Sequence, residues 1–464
     1  MAKASKYLII AAILGYLAGC GGGSGGNAAG GGAPATQFSI RSPTISGAGI
    51  AFAITVTALD AAGSVATGYS GKVHYTSTDP AATLPPDVTL VNGTGIFPVT
   101  LATAGMQTIT VTDTASASLQ GSRSVTSVAD AFPVASFGAK GDGQTDDTAA
   151  IQSAINAASA SGGGSVILEV ARYFTAGNLV VPAGVVLSGT IEGPFDVGGP
   201  SPAAATLAPT LLVTSSSGPF LSLRGIGAGI TDVLFHYPNQ VGASAAAPKV
   251  YPYTILVTAA GTKVARVTVT NAYNFLDIEV GRSMAQDLFI GAFNIGINID
   301  HARDHVTLRH LVQTVFWDVV ENAPFPSPID TWVMGHGTAL VVGRMDSLEI
   351  SDFFVFQRYI GMLLTDSPDS SQGIRCGYGS GSGIDVEGVV YAIVVTASNT
   401  PGYNFTNLFL QSPTGGGQAA VQLRSGGSMP PKVLINGGSF GGGPWASGGY
   451  PRPGPDAIVV NMLP

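Results

Sequence analysis

The second half of the sequence is constrained most by a short repeat. Five-residue apolar-rich segments recur every 21 residues, and a last one follows at about the same step: 275–279, 296–300, 317–321, 338–342 and 360–364; apolar and polar side chains alternate most clearly in the first two. Repeats of about 20 residues, each with two or three short strands and tight turns, are the signature of a parallel β-helix. We therefore predict an all-β protein whose coils stack about 4.8 Å apart.

The composition supports this fold class and argues against a long helical bundle and against a nucleic-acid-binding protein. The 464 residues include 64 glycines and 29 prolines, which interrupt almost every stretch with helical periodicity and exclude a long helical bundle. With 20 basic against 28 acidic residues, the net charge is −8, so we predict no nucleic-acid partner. Four of the six histidines lie within 36 residues: His301, His305, His310 and His336. Their spacing matches no zinc pattern, so we predict no metal and no cofactor.

The N-terminus reads as a targeting segment followed by a tether. Lys3 and Lys6 precede a short apolar stretch that ends in Leu17-Ala18-Gly19-Cys20, which resembles a bacterial lipobox. The resemblance implies a signal peptide over 1–20, lipidation of Cys20, membrane anchoring through that lipid, and a place in the cell envelope, at the outer membrane or cell surface. An ordinary signal peptide that contains a cysteine is the alternative. Residues 21–35 form a Gly-rich flexible tether.

Residues 36–128 alternate apolar and polar residues in short runs separated by turn residues, which predicts a β-sandwich. The stretches GYSGKVHYTSTDPAATLP and TLATAGMQTITVTDTA resemble bacterial immunoglobulin-like domains. No catalytic grouping stands out in this segment. We expect a spacer or a weak binding module.

The segment that follows carries the most specific motif of the chain. The sequence FGAKGDGQTDDTAAIQSAINAA, followed by GGGSV, resembles the opening of the pectate-lyase-like superfamily, which includes rhamnogalacturonases, polygalacturonases, related epimerases and phage tailspikes. The resemblance implies that residues 130–464 form a right-handed parallel β-helix capped by a short α-helix. Asp146 and Asp147 are then helix-start residues rather than catalytic ones. Because related tailspikes trimerise, a homotrimer and a monomer both stay open.

Strand alternation predicts an acidic ridge on the outside of the coils. If Leu276, Ile278 and their equivalents face inward, a set of polar side chains must face outward at one coil spacing: Asp277, Glu279, Asn298, Asp300 and Asp318. Carboxylates two coils apart would lie about 9.5 Å apart, at the upper end of the range used by inverting glycosidases. The ridge therefore predicts acid and base groups for a glycosidic bond.

The resemblance to polygalacturonases assigns roles within this ridge. Those hydrolases carry N-x-D, an aspartate pair, G-H-G and R-x-K on successive coils. Two motifs match fully: Asn298-Ile299-Asp300 matches N-x-D, and Gly335-His336-Gly337 matches G-H-G. Asp318 supplies one aspartate of the expected pair. The basic motif is not matched, because Met362 and Leu364 replace its basic residues and Arg375 is out of register. The resemblance implies catalysis by Asp300, Asp318 and His336. Substrate binding would involve Asp277, Glu279, Asn298 and Arg375.

The expected substrate is a linear polysaccharide, and three modes of action stay open. Hydrolysis uses the carboxylates. A lyase needs a basic residue to abstract a proton beside a uronate carboxyl, for which Arg303, Arg309 and Arg344 are available. A glycan-binding adhesin needs neither. Four aromatic residues are candidates to stack on sugar rings: Tyr251, Tyr253, Tyr273 and Trp317.

Overall fold

The computed structural model describes residues 33–194, 208–241, 245–314, 327–369, 376–412, 421–424, 427–442 and 460–463. Three predicted functional residues, Cys20, Asp318 and Arg375, lie outside the described residues, as do the predicted signal peptide and most of the predicted tether.

The first described unit is a two-sheet β-sandwich, as the alternation predicts. Its strands are β1 (Gln37–Arg41), β2 (Ile45–Gly47), β3 (Ala51–Leu59), β4 (Lys72–Ser77), β5 (Val88–Thr89), β6 (Thr94–Thr100), β7 (Gly105–Asp113) and β8 (Gln120–Val128). One sheet has the order β1-β3-β6 and the other β2-β8-β7-β4-β5. Alternate residues of both sheets, such as Ile54 and Val111, meet in one buried core, so each sheet buries one face and exposes the other.

A short cap joins the sandwich to the solenoid. It consists of β9 (Ala131–Pro133), a 3-10 turn (Val134–Phe137), β10 (Asp142–Asp146) and α1 (Thr148–Ala160). α1 buries Ile151 and Ile155 against the first coil. Asp147 is almost fully buried and accepts the N–H groups of Lys140 and Gly141 at 2.6 and 3.0 Å. This aspartate therefore fastens the loop before the helix, as expected for a cap residue.

The remaining strands form one long parallel ladder, which confirms the predicted β-helix. They are β11 (Gly164–Leu168), β12 (Arg172–Thr175), β13 (Leu179–Val181), β14 (Val185–Gly189), β15 (Thr210–Val213), β16 (Leu221–Leu223), β17 (Gly229–His236), β18 (Tyr253–Val257), β19 (Lys263–Ile278), β20 (Ser283–Ile299), β21 (Ala302–Thr314), β22 (Thr338–Val342), β23 (Met345–Phe356), β24 (Ile360–Leu364), β25 (Gly379–Glu387), β26 (Tyr391–Val395), β27 (Tyr403–Ser412), β28 (Val421–Arg424), β29 (Val433–Gly442) and β30 (Val460–Leu463). A second helix, α2 (Pro328–His336), precedes β22.

Three faces run along this solenoid. Sheet A contains the strands aligned with β18, β22, β24, β26 and β28. The successive strand segments of sheet B begin at residues 263, 283, 305, 347, 379, 403 and 433. Those of sheet C begin at residues 267, 288, 311, 353, 384, 408 and 438. Most inward residues of each face are apolar and belong to one continuous core, which also encloses a few polar side chains such as Gln313 and Thr175. The outward residues are therefore the ones that can meet a ligand.

The 21-residue step holds for one coil and then fails. Asp277 pairs with Asn298, a shift of 21 residues. Asn298 then pairs directly with Val341 of β22, whereas residues 317–321, predicted as the intervening rung, lie outside the described residues. The extra residues include α2, whose capping box joins Ser327 and Asp330. The next step, from β22 to residues 360–364, is confirmed.

A single residue in the left-handed backbone region turns each coil from sheet B to sheet C. We call this set the corner column: Asp232, Arg266, Asp287, His310, Asp352, Gly383, Asn407 and Gly437. Glycine, asparagine, aspartate and histidine adopt this conformation more readily than arginine does. Side chains on adjacent coils compensate by pairing, since Arg266 binds Asp232 at 2.6 and 2.7 Å and His310 contacts Asp287 at 2.9 Å.

Candidate functional site

Polar side chains interrupt the apolar outer face of sheet A on two adjacent coils. The outward position reads, coil by coil, Leu256, Asp277, Asn298, Val341, Leu363 and Val394. Asp277 and Asn298 face outward as predicted, between buried Leu276 and Ile278 on one coil and Ile297 and Ile299 on the next. The polar pair is therefore flanked by apolar outward residues on the adjacent coils, whereas Ser222 and Gln422 are polar at the same position nearer the ends of the column.

Met362 and Leu364 do not stand where the basic residues of a polygalacturonase would. Both are fully buried in the core, and Leu363 occupies the outward position of their strand. The outward face of this coil is therefore apolar at the position where the resemblance expects a cation.

Asp277 is the most perturbed carboxyl group of the site. Asn298 Nδ2 donates to Asp277 Oδ1 at 2.8 Å. Burial raises the pKa of Asp277 to about 6, the hydrogen bond from Asn298 opposes the rise, and the negative charges of Glu279 and Asp300 add to it. Near neutral pH this group can therefore carry or release a proton, as a general acid must.

Tyr253 lies one coil before this carboxyl group. Its strand position pairs with Asn274, and burial, helped by the negative charge of Asp277, raises the pKa of Tyr253 above its ordinary value. The phenol stays protonated at neutral pH and can donate a hydrogen bond beside Asp277.

Asp300 is more enclosed than the ridge model predicts. Its Oδ1 accepts the N–H groups of His301 and Arg344, both at 2.9 Å, and its Oδ2 accepts the hydroxyl of Ser367 at 2.8 Å. The residue is 7% exposed. These contacts join three turns, so Asp300 works as a fastening residue at the edge of sheet A instead of projecting freely outward.

His301 connects Asp300 to a further carboxylate. Its Nδ1 lies 3.5 Å from Asp300 Oδ2, and its Nε2 lies 3.1 Å from Asp369 Oδ2. Neither His301, Ser367 nor Asp369 was predicted as a site residue. Ser367 and Asp369 reach the site from later coils, beyond the break in the 21-residue repeat, so the sequence period could not have placed them here.

Glu279 occupies the turn directly below Asp300. Its N–H donates to Val257, and the N–H of Asp300 donates to Ile278, so the two residues hold the same turn position on adjacent coils, about 4.8 Å apart along the axis. Asp277 and Glu279 are two residues apart along the chain, which places their Cα atoms about 6.6 Å apart in extended backbone. Two carboxyl groups with different environments therefore lie close together.

His336 is not part of this group. It ends α2, stacks on Trp332 at 4.4 Å and donates from Nδ1 to the Trp332 carbonyl at 2.8 Å. The residue that follows Gly337 pairs with Ile295, whereas Asp300 lies five residues beyond that level, or about 17 Å along the strands. The structure therefore does not place His336 and Asp300 close enough to act on the same glycosidic bond.

The geometry is not that of a metal centre, since no three His, Cys, Asp or Glu side chains within the described ranges could hold one ion. In the same part of the chain, no helix is long and apolar enough to span a membrane.

Comparison with known proteins supports a pectate-lyase-like beginning of the solenoid. Residues 131–193 match the family model "Rhamnogalacturonase A/epimerase, pectate lyase-like". A mannuronan C5-epimerase of Azotobacter vinelandii, AlgE3, is 59% identical over 46 residues, which cover 10% of this chain and 2% of the relative. Alginate lyase 7 of the same organism is 56% identical over 46 residues, or 10% of this chain and 5% of the relative. The chain thus spans a small part of these relatives.

Among solved structures, a tailspike protein of E. coli bacteriophage HK620 is similar over 67% of this chain and 66% of its own length, with 11% identity and a TM-score of 0.38. The named relatives are an epimerase, a lyase and a phage tailspike. Activity has to be argued from the residues of this chain.

Proposed function

We propose that this protein hydrolyses glycosidic bonds of a polysaccharide at the outer face of sheet A. Asp277 is the general acid in this proposal and Glu279 the second carboxylate. One observation carries it: burial raises the pKa of Asp277 to about 6, and the negative charge of Glu279, two residues further along the chain, adds to that rise. A carboxyl group with a raised pKa beside a second carboxylate is the arrangement that glycosidases use.

Each described neighbour has a task in this mechanism. Protonated Asp277 donates to the glycosidic oxygen as the bond breaks, and ionised Glu279 activates water or attacks the sugar carbon. Asn298 orients Asp277 through its 2.8 Å hydrogen bond. Asp300 is a positioning residue, because it holds the turns on which these groups stand. Asp318, predicted as a catalytic carboxylate, stays a candidate for the second role.

Hydrolysis fits the described charges better than elimination from a uronate. Around Asp277 lie the carboxylates of Glu279, Asp300 and Asp369, against one imidazole, that of His301. A lyase must accept an anionic sugar and stabilise added negative charge on it. An acidic surrounding repels such a sugar, so a neutral polymer is the better substrate.

The test is product formation by the full chain on neutral and uronate-containing polysaccharides, read as new reducing ends. Asp277→Asn and Glu279→Gln should each lower the rate by about a hundredfold or more, the usual contribution of acid–base catalysis. Asp352→Asn is the matched control, since this exposed corner residue has a backbone that asparagine also adopts, and it should leave the rate unchanged.

Three results would contradict the proposal. Products that absorb in the ultraviolet through a new double bond would assign a lyase. Full activity in Asp277→Asn together with loss in Asp318→Asn would move the acid to residue 318. Binding without products on any polymer would assign a glycan-binding protein.

We also propose that Cys20 is lipidated and anchors the chain in the cell envelope, with residues 21–35 as the tether. The lipobox-like sequence supports this. Cys20→Ser should move the protein from the membrane to the soluble fraction, and a mature N-terminus without attached lipid in the unaltered protein would refute it.

A further inference from the structure

We propose that strand β25 is the floor of a second carbohydrate site, a groove on sheet B that binds neutral, hydroxyl-rich sugar units. This inference deepens the proposed function by naming the substrate class. The groove uses none of the sheet A carboxylates, so it is tested by binding and not by turnover.

The floor of the groove lies low because one coil carries very small side chains. Tyr378 is followed by Gly379-Ser380-Gly381-Ser382-Gly383. Ser380 and Ser382 are exposed, and a Cβ at Gly381 would lie only 2.5 Å from Ile350. Glycine therefore lets this strand lie deep between its neighbours.

Side chains on the two adjacent coils form the walls, and Glu349, Asn404 and Thr406 are larger than the serines of the floor. Ser380 lies between Glu349 and Asn404 in the ladder, and Ser382 lies between Ser351 and Thr406. Neighbouring coils are about 4.8 Å apart, so the walls stand about 10 Å apart across the serines. The result is a trough that follows the strand and is open to solvent.

Two cavities fill this trough. One has a volume of about 630 Å³ and includes Tyr378, Lys432 and Pro401 among its walls; the other has about 220 Å³ and includes Glu349 and Ser351. Ser380 and Asn404 line both cavities, so we treat them as one groove. The larger volume lies in the range of small-molecule sites.

The groups along the groove suit a neutral polyol. Its walls and floor offer the hydroxyls of Ser351, Ser380, Ser382 and Thr406. Asn436 donates to Asn404 Oδ1 at 3.0 Å, which orients the Asn404 amide so that its Nδ2 can donate to a ligand. Hydroxyl and amide groups can each donate to and accept from sugar hydroxyls.

The charge at one end of the groove is already compensated. Arg309 Nη2 lies 3.1 Å and His305 Nε2 3.2 Å from the carboxylate of Glu349. At the other end, Tyr378 offers a partly exposed ring, whose apolar face can cover the C–H face of a sugar. The serine-lined cavity carries only the compensated charge of Glu349, so this part of the groove favours neutral over uronate sugars, whereas Lys432 adds a positive charge at the wall of the larger cavity.

The experiment compares binding to a printed array of neutral hexose oligosaccharides and oligogalacturonates, followed by calorimetry on the neutral oligosaccharide that binds best. Ser380→Trp fills the trough, and Ser124→Trp, on an exposed position of β8, is the matched control. Ser380→Trp should weaken binding at least tenfold and Ser124→Trp by less than twofold. Asn404→Ala should weaken it about three- to tenfold, the effect of one hydrogen bond.

All measurements are repeated with Asp277→Asn, which separates the two proposals. Retained binding in Asp277→Asn, with loss in its Ser380→Trp derivative, supports the groove whatever happens to turnover. Absence of any neutral ligand, preference for oligogalacturonate, or unchanged binding in both Ser380→Trp and Asn404→Ala would overturn the groove. Loss of binding on Asp277→Asn alone would assign all binding to sheet A.

Discussion

Replacing Asp277 by asparagine should stabilise the β-helix at neutral pH and leave its stability at pH 4 unchanged. Burial raises the pKa of this carboxyl from 3.8 to about 6. The folded state therefore holds the proton more tightly than the unfolded state does. Ionisation at Asp277 costs no folding free energy below pH 4, a growing amount as the pH rises from 4 to 6, and the full amount above pH 6.

The size of the effect follows from the pKa difference. About two pH units correspond to about 3 kcal/mol, and the partial exposure of the side chain lowers the expected value to about 1–2 kcal/mol. Asparagine avoids this cost at every pH. Its side-chain oxygen can still accept the hydrogen bond that Asn298 gives to Asp277, so no other interaction of the described site has to be lost.

The assay is urea unfolding of the full chain at pH 4.0 and pH 7.5, followed by tryptophan fluorescence. The three tryptophans, Trp317, Trp332 and Trp445, all lie in the β-helix part of the sequence, so the signal reports on this unit. Asp352→Asn serves as the exposed control and should change stability by less than about 0.5 kcal/mol at both pH values. An equal effect of Asp277→Asn at both pH values, or destabilisation at pH 7.5, would refute the reasoning.

Two further changes test the packing of the coils, read by the same unfolding assay. Arg266→Ala leaves the nearly buried carboxylate of Asp232 without its bidentate partner and should lower the free energy of unfolding by about 2–4 kcal/mol. Arg282→Ala breaks an exposed pair and should lower it by less than about 1 kcal/mol. Similar losses in the two variants would contradict this account. Gln313→Leu should stabilise by about 1–2 kcal/mol, because the buried amide of Gln313 has no hydrogen-bond partner among the described residues. Thr175→Val, which removes a satisfied buried hydroxyl, should destabilise instead, and a stabilising effect there would show that the buried polar groups of the core are all costly.

The repeat predicted the fold class because it depends on local chemistry. Alternation around Leu276 and Ile278 fixes which side chains face the core, and the step of 21 residues placed Asp277 beside Asn298. The same step does not hold beyond Asn298, since the spacing alone cannot show whether the next paired strand lies one repeat or two repeats further along the chain. The pairing of Asn298 with Val341 decides that point.

The candidate site was predicted only in part, for a related reason. Outward orientation of Asp277 and Asn298 follows from alternation, but the enclosure of Asp300 depends on Ser367 and Arg344, which come from later coils. The perturbation of Asp277 likewise comes from burial by neighbouring coils. Such environments are set by contacts between residues far apart in sequence.

The corner column has a consequence for how this solenoid could change in length. Acidic and basic side chains alternate along four of its consecutive coils, Asp232, Arg266, Asp287 and His310: Arg266 contacts Asp232, His310 contacts Asp287, and the charge of Asp287 also acts on Arg266. Removing the coil of Asp287 would set an arginine against a histidine, and duplicating it would set two aspartates side by side. Coils in this stretch can therefore be gained or lost in pairs without placing like charges side by side, whereas a change by a single coil would do so.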